Sequence, residues 1–167
     1  MTEILSPSDL ETVVAGIVDR LADAEGKPDA LLWVGGATWP VRTQVARAVA
    51  EATDKGYLSL SLPLSRSLQP IPPQRRPLKV QALVENLLQD EAAPSGWVLD
   101  HLELLFLPEL RISPVQLLRH LAKTRTILAI WPGKYHQGRL IYAEPGHPEY
   151  LRERIPPFSY LQTDDLL

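Results

Sequence analysis

The chain has 167 residues, of which 45% are hydrophobic and 22% charged, a composition that excludes global disorder and suits one domain with a buried core. Its formal net charge of -3 excludes a broad basic field for nucleic acid, and its lack of cysteine excludes disulfides, zinc thiolates and thiol nucleophiles. No apolar run reaches the ~20 residues of a membrane span, and the acidic start of the chain lacks the basic cluster of a secretory signal. We therefore expect a cytoplasmic protein without membrane contact, with one domain over residues 1–167.

The first third of the chain predicts a helix, a strand, a helix and a second strand. The capping-box pattern Ser8–Glu11 and the apolar helical face after it predict a helix over 8–24. The apolar run 30–34, bounded by turn signals, predicts a buried strand, and regularly spaced valines and alanines predict a helix over 41–54. Leucines alternate with serines over 57–64, which predicts a strand.

The rest of the chain predicts two more helices and three more strands. The proline-rich segment 65–77 is typical of a loop, and an apolar stripe over 80–88 predicts a helix. Ser113, followed by proline and then glutamine, opens another helix. Strands are predicted at 97–100, 126–131 and 139–143. The C-terminal tail, 151–167, is expected to pack on its own domain or to dock on a partner.

Strands that alternate with helices predict an α/β fold. We expect a mainly parallel five-stranded sheet with helices on both faces, preceded by one extra N-terminal helix. The direction of the last strand stays open. The chain contains no internal repeat and no domain linker.

The stretch WVGGATWPVRTQ has the spacing of a phosphate-binding loop, G-x-x-x-x-G-K-[ST], starting at Gly36. In such a loop, backbone amides and a helix N-terminus surround an anion, lysine adds charge and the hydroxyl residue holds magnesium. Candidate nucleotide-binding residues are Gly36, Thr38, Val41, Arg42 and Thr43. Thr43 keeps the magnesium-ligand position, and Arg42 keeps the positive charge.

Three features of this stretch oppose nucleotide binding. Val41 puts a branched side chain where glycine belongs, and Arg42 is a fork-shaped replacement for lysine. Pro40 has no N–H group and biases Trp39 toward an extended conformation. A plain strand-to-helix turn in which Thr38 caps the helix therefore remains open as an alternative.

Carboxylates near a second strand end could complete a nucleotide site. Asp100 ends an apolar run, and nucleotide-hydrolysing parallel sheets carry a carboxylate for magnesium at the end of a buried strand beside the phosphate loop. The strand that ends at Asp100 is accordingly expected to be adjacent to the strand before Gly36. We therefore assign Asp100 to the metal together with Thr43, and Asp100 and Glu103 as candidate catalytic residues. An ordinary turn residue at 100 and a solvated one at 103 are the alternatives.

Basic and imidazole side chains elsewhere give weaker signals. Arg75 and Arg76, in the proline-rich segment, are candidate contacts to DNA or to a partner subunit, or simply a solvated pair. The four histidines lack the spacing of metal ligands.

Several blocks in this order, namely GG…RT after a strand, LSLPLSRSL, VLDHLELLF, AIWPG and LIYAEPGHPEY, give the chain a family resemblance. From Leu31 to Tyr150 it resembles BrxF, the small P-loop-containing protein of type III bacteriophage exclusion (BREX) systems. The resemblance implies a cytoplasmic bacterial antiviral component with an additional-strand P-loop ATPase core. It also implies ATP and Mg²⁺ as ligands, and partners that include a DNA methyltransferase and a phosphatase-like protein.

The departures at Val41 and Arg42 favour a degenerate phosphate loop that binds nucleotide weakly or not at all and acts through protein contacts. Trp131 also stands where a polar sensor of the γ-phosphate is usual. Two alternatives stay open: an active Mg²⁺-dependent ATPase in which Arg42 replaces lysine, and a DNA-binding adaptor. Assembly into a homo-oligomer is open by analogy with related ATPases.

Overall fold

A computed structural model describes residues 3–89 and 95–167 of the chain. Its α-helices are α1 (Pro7–Ala24), α2 (Trp39–Ala52), α3 (Ser61–Leu68), α4 (Arg76–Leu87) and α5 (Pro114–Leu121). Its β-strands are β1 (Leu31–Gly35), β2 (Gly56–Ser59), β3 (Trp97–Asp100), β4 (Ile127–Ile130), β5 (Lys134–His136), β6 (Arg139–Tyr142), β7 (Leu151–Arg154) and β8 (Tyr160–Gln162).

The main sheet has five strands in the order β2-β3-β4-β1-β8, and every neighbouring pair is parallel. The α/β class and the five-stranded sheet are therefore confirmed. Parallel strands end at one edge, so the turn after β1 and the residues that follow β3 meet there. This arrangement positions the candidate site.

Two predictions about the sheet are wrong. The fifth strand is β8, in the C-terminal tail, whereas the segment predicted at 139–143 forms β6 of a separate sheet. A strand of three residues is too short to show a period of two, which explains why the tail was not recognised as part of the sheet. In addition, β1, which precedes Gly36, and β3, which ends at Asp100, were expected to be adjacent. They are not neighbours, because β4 lies between them.

Helices cover both faces of the main sheet, as predicted. Alternate residues of each buried strand point to opposite faces, so Leu32 and Val34 of β1 face α1 and α2, whereas Leu31 and Trp33 face the other helices. The buried face of α1 consists of Val13, Ile17 and Leu21. The N-terminal helix predicted at 8–24 is thus an outer layer packed on α2.

The strand predicted over 57–64 and the loop predicted over 65–77 are correct only in part, because α-helices occupy residues 61–68 and 76–77. The strand β2 ends at Ser59, and α3 begins two residues later. Leu60, Leu64 and Leu68 recur every four residues and are buried, whereas Leu62 is 58% exposed. The same leucines fit a period of two and a helical spacing, and tertiary packing selects the helix.

Capping differs from the sequence prediction at two helix starts and agrees at one. Ser6, not Ser8, caps α1, accepting from the amide of Asp9 over 3.2 Å. The helix α2 begins at Trp39, earlier than the predicted start at Val41, because proline is well tolerated in the first helical turn. Ser113 caps α5 as predicted and accepts from the amide of Gln116.

A second, antiparallel sheet of order β5-β6-β7 packs beside the main one. Its inner face reaches the core through Leu140, and Tyr135 stacks on Tyr160 with ring centroids 3.9 Å apart. No helix in the described parts of the chain is both long and apolar enough to span a membrane.

Candidate functional site

The turn between β1 and α2 is short and left-handed. Gly36 and Ala37 both have positive φ, at 81° and 61°, a conformation that glycine adopts freely and alanine only at a cost. Thr38 occupies the N-cap position, but its side chain accepts no capping hydrogen bond. The backbone therefore forms the strand-to-helix turn that was the alternative to a phosphate loop, but the Thr38 side chain does not cap the helix.

Positions that would surround a phosphate in a full-length loop are helical here. Since α2 begins at Trp39, the amide of Arg42 donates within the helix to the carbonyl of Thr38, over 2.9 Å. Pro40 has no N–H group to offer. The side chain of Val41 is buried in the core shared with α1, so it lines no open cradle. Among positions 39–42, only the amides of Trp39 and Val41 have no carbonyl within the helix to donate to, because they lie in its first turn.

The guanidinium of Arg42 folds back on the turn. Its Nη1 donates to the carbonyl oxygen of Ala37 over 3.1 Å. The side chain also lies near Tyr160, whose pKa is raised above the ordinary value chiefly by burial, an effect that the positive charge of Arg42 opposes. Arg42 is thus held by the fold itself.

The C-terminal strand β8 closes the turn from the other side. The hydroxyl of Thr163 donates to the carbonyl of Gly35 over 2.8 Å, and the hydroxyl of Tyr160 donates to Oε1 of Gln162 over 2.6 Å. A Cβ at Gly36 would lie only 2.5 Å from Nε2 of Gln162. The space directly over the glycine therefore contains the Gln162 amide.

Asp100 lies at the carboxyl end of β3 and is 3% exposed. Its Oδ2 accepts from the hydroxyls of Thr43 (2.8 Å) and Tyr57 (2.9 Å), and its Oδ1 accepts from the amide of His101 (2.9 Å). The structure thus brings Thr43 and Asp100 together, as the sequence predicted. An ionised carboxylate has about four acceptor sites, so protein donors already use most of them.

Tyr57 was missed by the sequence analysis. Burial, and then the negative charge of Asp100, raise the pKa of the Tyr57 phenol above its ordinary range. The guanidinium of Arg47 lies 4.5 Å from the centre of the ring and opposes that shift. A tyrosine near a strand start carries no local motif, and only the register of β2 beside β3 brings it to Asp100.

His101 turns the chain sharply after β3. Its φ is 54°, in the left-handed region, and its carbonyl accepts from the amide (3.1 Å) and the hydroxyl (2.6 Å) of Ser61. The amide of Leu60 bonds the carbonyl of Asp100 in the same way, over 2.9 Å. The positive φ therefore ties the end of β3 to the start of α3, which fixes the position of Asp100.

Glu103 and Trp131 lie away from this cluster. Glu103 begins a short 3-10 helix, forms no hydrogen bond with Asp100 or Thr43, and instead contributes to the raised pKa of Tyr142, after burial and Glu149. Trp131 is fully buried, and its indole donates to the carbonyl of Lys134. Its ring therefore serves the core.

The two arginines of the proline-rich segment have different surroundings. Arg75 is exposed, in a 3-10 turn. Arg76 is the first residue of α4, and its Nε donates to the carbonyls of Leu68 (3.2 Å) and Ile71 (2.9 Å). Arg76 is therefore bound to the protein through its Nε, whereas Arg75 is exposed.

These contacts do not fit ATP and Mg²⁺. The cradle is shortened by helix, Gln162 lies over Gly36, and the Asp100 carboxylate is shielded and hydrogen-bonded within the protein. Among the described residues, no three His, Asp or Glu side chains cluster in a way that could hold a metal ion.

Comparison with known proteins identifies no relative. The chain matches no protein-family model, and neither a curated protein nor a solved structure shows significant similarity to it.

Proposed function

We propose that this chain is a P-loop-like protein with a degenerate phosphate site, acting through protein contacts in a cytoplasmic bacterial phage-exclusion system. The class is supported by the strand order. An additional-strand P-loop core places one strand between the phosphate-loop strand and the strand of the acidic residue, and β4 occupies that place. The Thr43–Asp100 hydrogen bond joins the two motif positions that the class requires.

One observation carries the proposal of a degenerate site: α2 begins at Trp39. In a working loop, successive amides remain free to donate to phosphate oxygens. Here the amide of Arg42 is committed to Thr38, and Pro40 has none. Each missing charge-assisted hydrogen bond costs ~1.5–3 kcal/mol, so two of them weaken binding by about a hundredfold or more.

Participation in a phage-exclusion system rests on the sequence blocks that resemble BrxF, of which two now have clear structural roles. The Asp100-containing block supplies β3 and the turn at His101. The block LIYAEPGHPEY supplies β6 and the connection to β7. A protein of this kind would contribute surfaces to a larger assembly, whether or not it binds nucleotide.

Calorimetry with MgATP tests the degenerate site. We expect no heat of binding with micromolar or tighter dissociation constant for the wild type, and the same result for Arg42→Ala. Micromolar binding that Arg42→Ala abolishes would overturn the proposal in favour of an active ATPase, the second candidate, which the Thr43–Asp100 contact favours.

A plaque assay tests the wider role. In cells that carry a complete exclusion system, deletion of this chain should abolish protection, whereas Arg42→Ala should preserve it. Loss of protection with Arg42→Ala, at unchanged protein level, would support the ATPase. Full protection after deletion would contradict membership in the system.

A further inference from the structure

The outer face of the antiparallel sheet carries four positive side chains and one histidine, here called the basic face. In the cross-strand register, His136 lies opposite Arg139, which lies opposite Arg154. Lys134 lies opposite Ile141, which lies opposite Arg152, in the next row of the same face. Residues in direct register share one face of a sheet. The basic face thus consists of Lys134, His136, Arg139, Arg152 and Arg154.

The opposite face of this sheet is fixed to the rest of the protein. Tyr142 stacks on Phe106 with ring centroids 4.0 Å apart, and Leu140 is fully buried. Glu153, the acidic residue of β7, accepts a hydrogen bond from the hydroxyl of Ser113 over 2.9 Å on that side. The carboxylate therefore does not neutralise the basic face, and the sheet holds its arginines on a rigid support.

The charges of the basic face are unbalanced. None of its five side chains forms a salt bridge with a carboxylate in the described parts of the chain. Arg139 and Arg154 stand directly opposite each other, an arrangement of like charges that destabilises a strand pair. The whole chain nevertheless has a net charge of -3. Cations concentrated on one sheet face repel one another, and a polyanionic ligand would offset that repulsion.

The basic face also has a shallow hollow of about 300 Å³. Its lining includes Lys134, His136 and Arg152 together with Ile141 and the carboxylate of Glu144. The lining contains two aromatic rings, those of Tyr150 and His136. The rings of Tyr135 and Tyr142 point instead to the inner side of the sheet. A series of exposed rings for stacking bases is thus absent from these strands.

We propose that the basic face binds the phosphate backbone of double-helical nucleic acid, without reading its bases. Neighbouring positions of the face are ~4.8 Å apart across strands and ~6.7 Å apart along them. A duplex presents one negative charge per ~1.7 Å of its axis, so several of the four cations, Lys134, Arg139, Arg152 and Arg154, can each reach a phosphate. Arginine forks, of which the face has three, suit phosphate oxygens.

Single strands and membranes fit the basic face less well. Proteins that follow single strands combine positive charge with a series of aromatic platforms, whereas His136 is the one aromatic ring that these strands place on the outer side. Membrane surfaces are bound by positive charge together with large exposed apolar side chains. On this face the apolar side chain is Ile141, which is partly buried.

Fluorescence anisotropy with a labelled duplex DNA of about 25 base pairs tests the proposal. We expect a dissociation constant of ~1–100 µM at low salt, weakening steeply as sodium chloride is raised. The variant Arg152→Glu/Arg154→Glu should bind at least tenfold more weakly, with the salt slope reduced by about 2. Arg152→Lys/Arg154→Lys, which keeps the charge and serves if the first variant fails to fold, should bind within about threefold of the wild type.

A matched charge reversal separates this face from the rest of the surface. Lys27→Glu/Lys79→Glu changes the net charge equally at exposed positions of the connection after α1 and of α4, and should bind like the wild type. Equal loss in both reversals, or loss in this control alone, would overturn the proposal. Tighter binding of single-stranded DNA, or binding of phosphatidylserine vesicles without binding of duplex, would overturn it as well. Duplex RNA should bind comparably, because phosphates rather than bases are contacted.

Discussion

Thr43 and Asp100 are joined by a 2.8 Å hydrogen bond, although Thr43 follows β1, Asp100 ends β3, and β4 lies between these two strands. The bond fastens the first turns of α2 to the end of β3. Tyr57 donates to the same carboxylate oxygen from β2. Three elements of the sheet edge are therefore held through one buried charge, so the first role of Asp100 in this chain is structural.

Asp100→Asn tests that role. The amide cannot accept from Thr43, Tyr57 and the amide of His101 as a carboxylate does, so we expect the free energy of unfolding to fall by ~2–4 kcal/mol. Urea denaturation followed by circular dichroism measures the change. Glu103→Gln, a matched change at a partly exposed carboxylate, should change the free energy of unfolding by less than ~0.5 kcal/mol relative to the wild type. Equal or greater stability of Asp100→Asn would point instead to a site kept for a ligand.

The Tyr57 phenol makes stability depend on alkaline pH. Its pKa in the folded protein is raised above the ordinary value of 10.0, first by burial and then by Asp100. Above that pH the unfolded chain loses the phenolic proton while the folded protein keeps it, so the folded state binds more protons and stability falls as pH rises. The contribution is fully present below pH 10.

Urea unfolding at intervals from pH 8 to about pH 11 checks the sign, with absorbance of the phenolate as a second measurement. Tyr57→Phe should be less stable at neutral pH, having lost its bond to Asp100, but should lose less stability on going to alkaline pH. Buried Tyr160, whose pKa is also raised, contributes with the same sign and accounts for part of the remaining slope. A slope unchanged by Tyr57→Phe would refute the assignment.

Gly36→Ala separates backbone strain from the contact with Gln162. The position has a φ of 81°, so any side chain costs ~1–2 kcal/mol, and the new Cβ must displace Gln162 from Tyr160. Gly138→Ala is a close control, with a φ of 79° and open space around it. We expect Gly36→Ala to cost about one hydrogen bond, ~0.5–1.5 kcal/mol, more than the control. That excess should vanish in a Gln162→Ala background, as a double-mutant cycle measures.

Arg76 and Arg75 should respond differently to truncation. Arg76→Ala removes the bifurcated hydrogen bond from Nε to the carbonyls of Leu68, at the end of α3, and of Ile71, so we expect a loss of ~1–2 kcal/mol in unfolding free energy. Arg75→Ala, at an exposed side chain, should change stability by less than ~0.5 kcal/mol. Thermal and urea unfolding of the two variants measure this difference. Equal effects would mean that the Arg76 contacts contribute nothing.

The sequence predicted a helix or strand correctly where its apolar residues follow a single pattern over the whole element. The helix α1 and the buried strands β1, β3 and β4 were found, because their apolar patterns admit one interpretation. The helix α3 was missed because Leu60, Leu64 and Leu68 lie in a run that also alternates. The strand β8 was missed because its burial comes from pairing with β1, which no local pattern encodes.

The candidate site was predicted in part for the same reason. Motif spacing pointed to Thr43 and Asp100, and the structure places them in contact. Tyr57 and Gln162 have no motif and reach the site only through strand order and the chain's return in its tail. The early start of α2 was missed because Pro40 was expected to bias Trp39 toward an extended conformation, whereas proline in the first turn favours a helix.

Val41→Gly restores the glycine of the phosphate-loop pattern, and should damage the protein instead of repairing a site. Val41 is 7% exposed and packs in the core beneath α1, so the change removes buried apolar area and adds a flexible residue to α2. We expect a loss of ~2–4 kcal/mol, against ~1 kcal/mol for Glu51→Gly at an exposed position of the same helix. Calorimetry should detect no MgATP binding, because the Arg42 amide remains bonded to Thr38. Micromolar binding by this variant would show that one side chain, and not the early start of the helix, excludes the nucleotide.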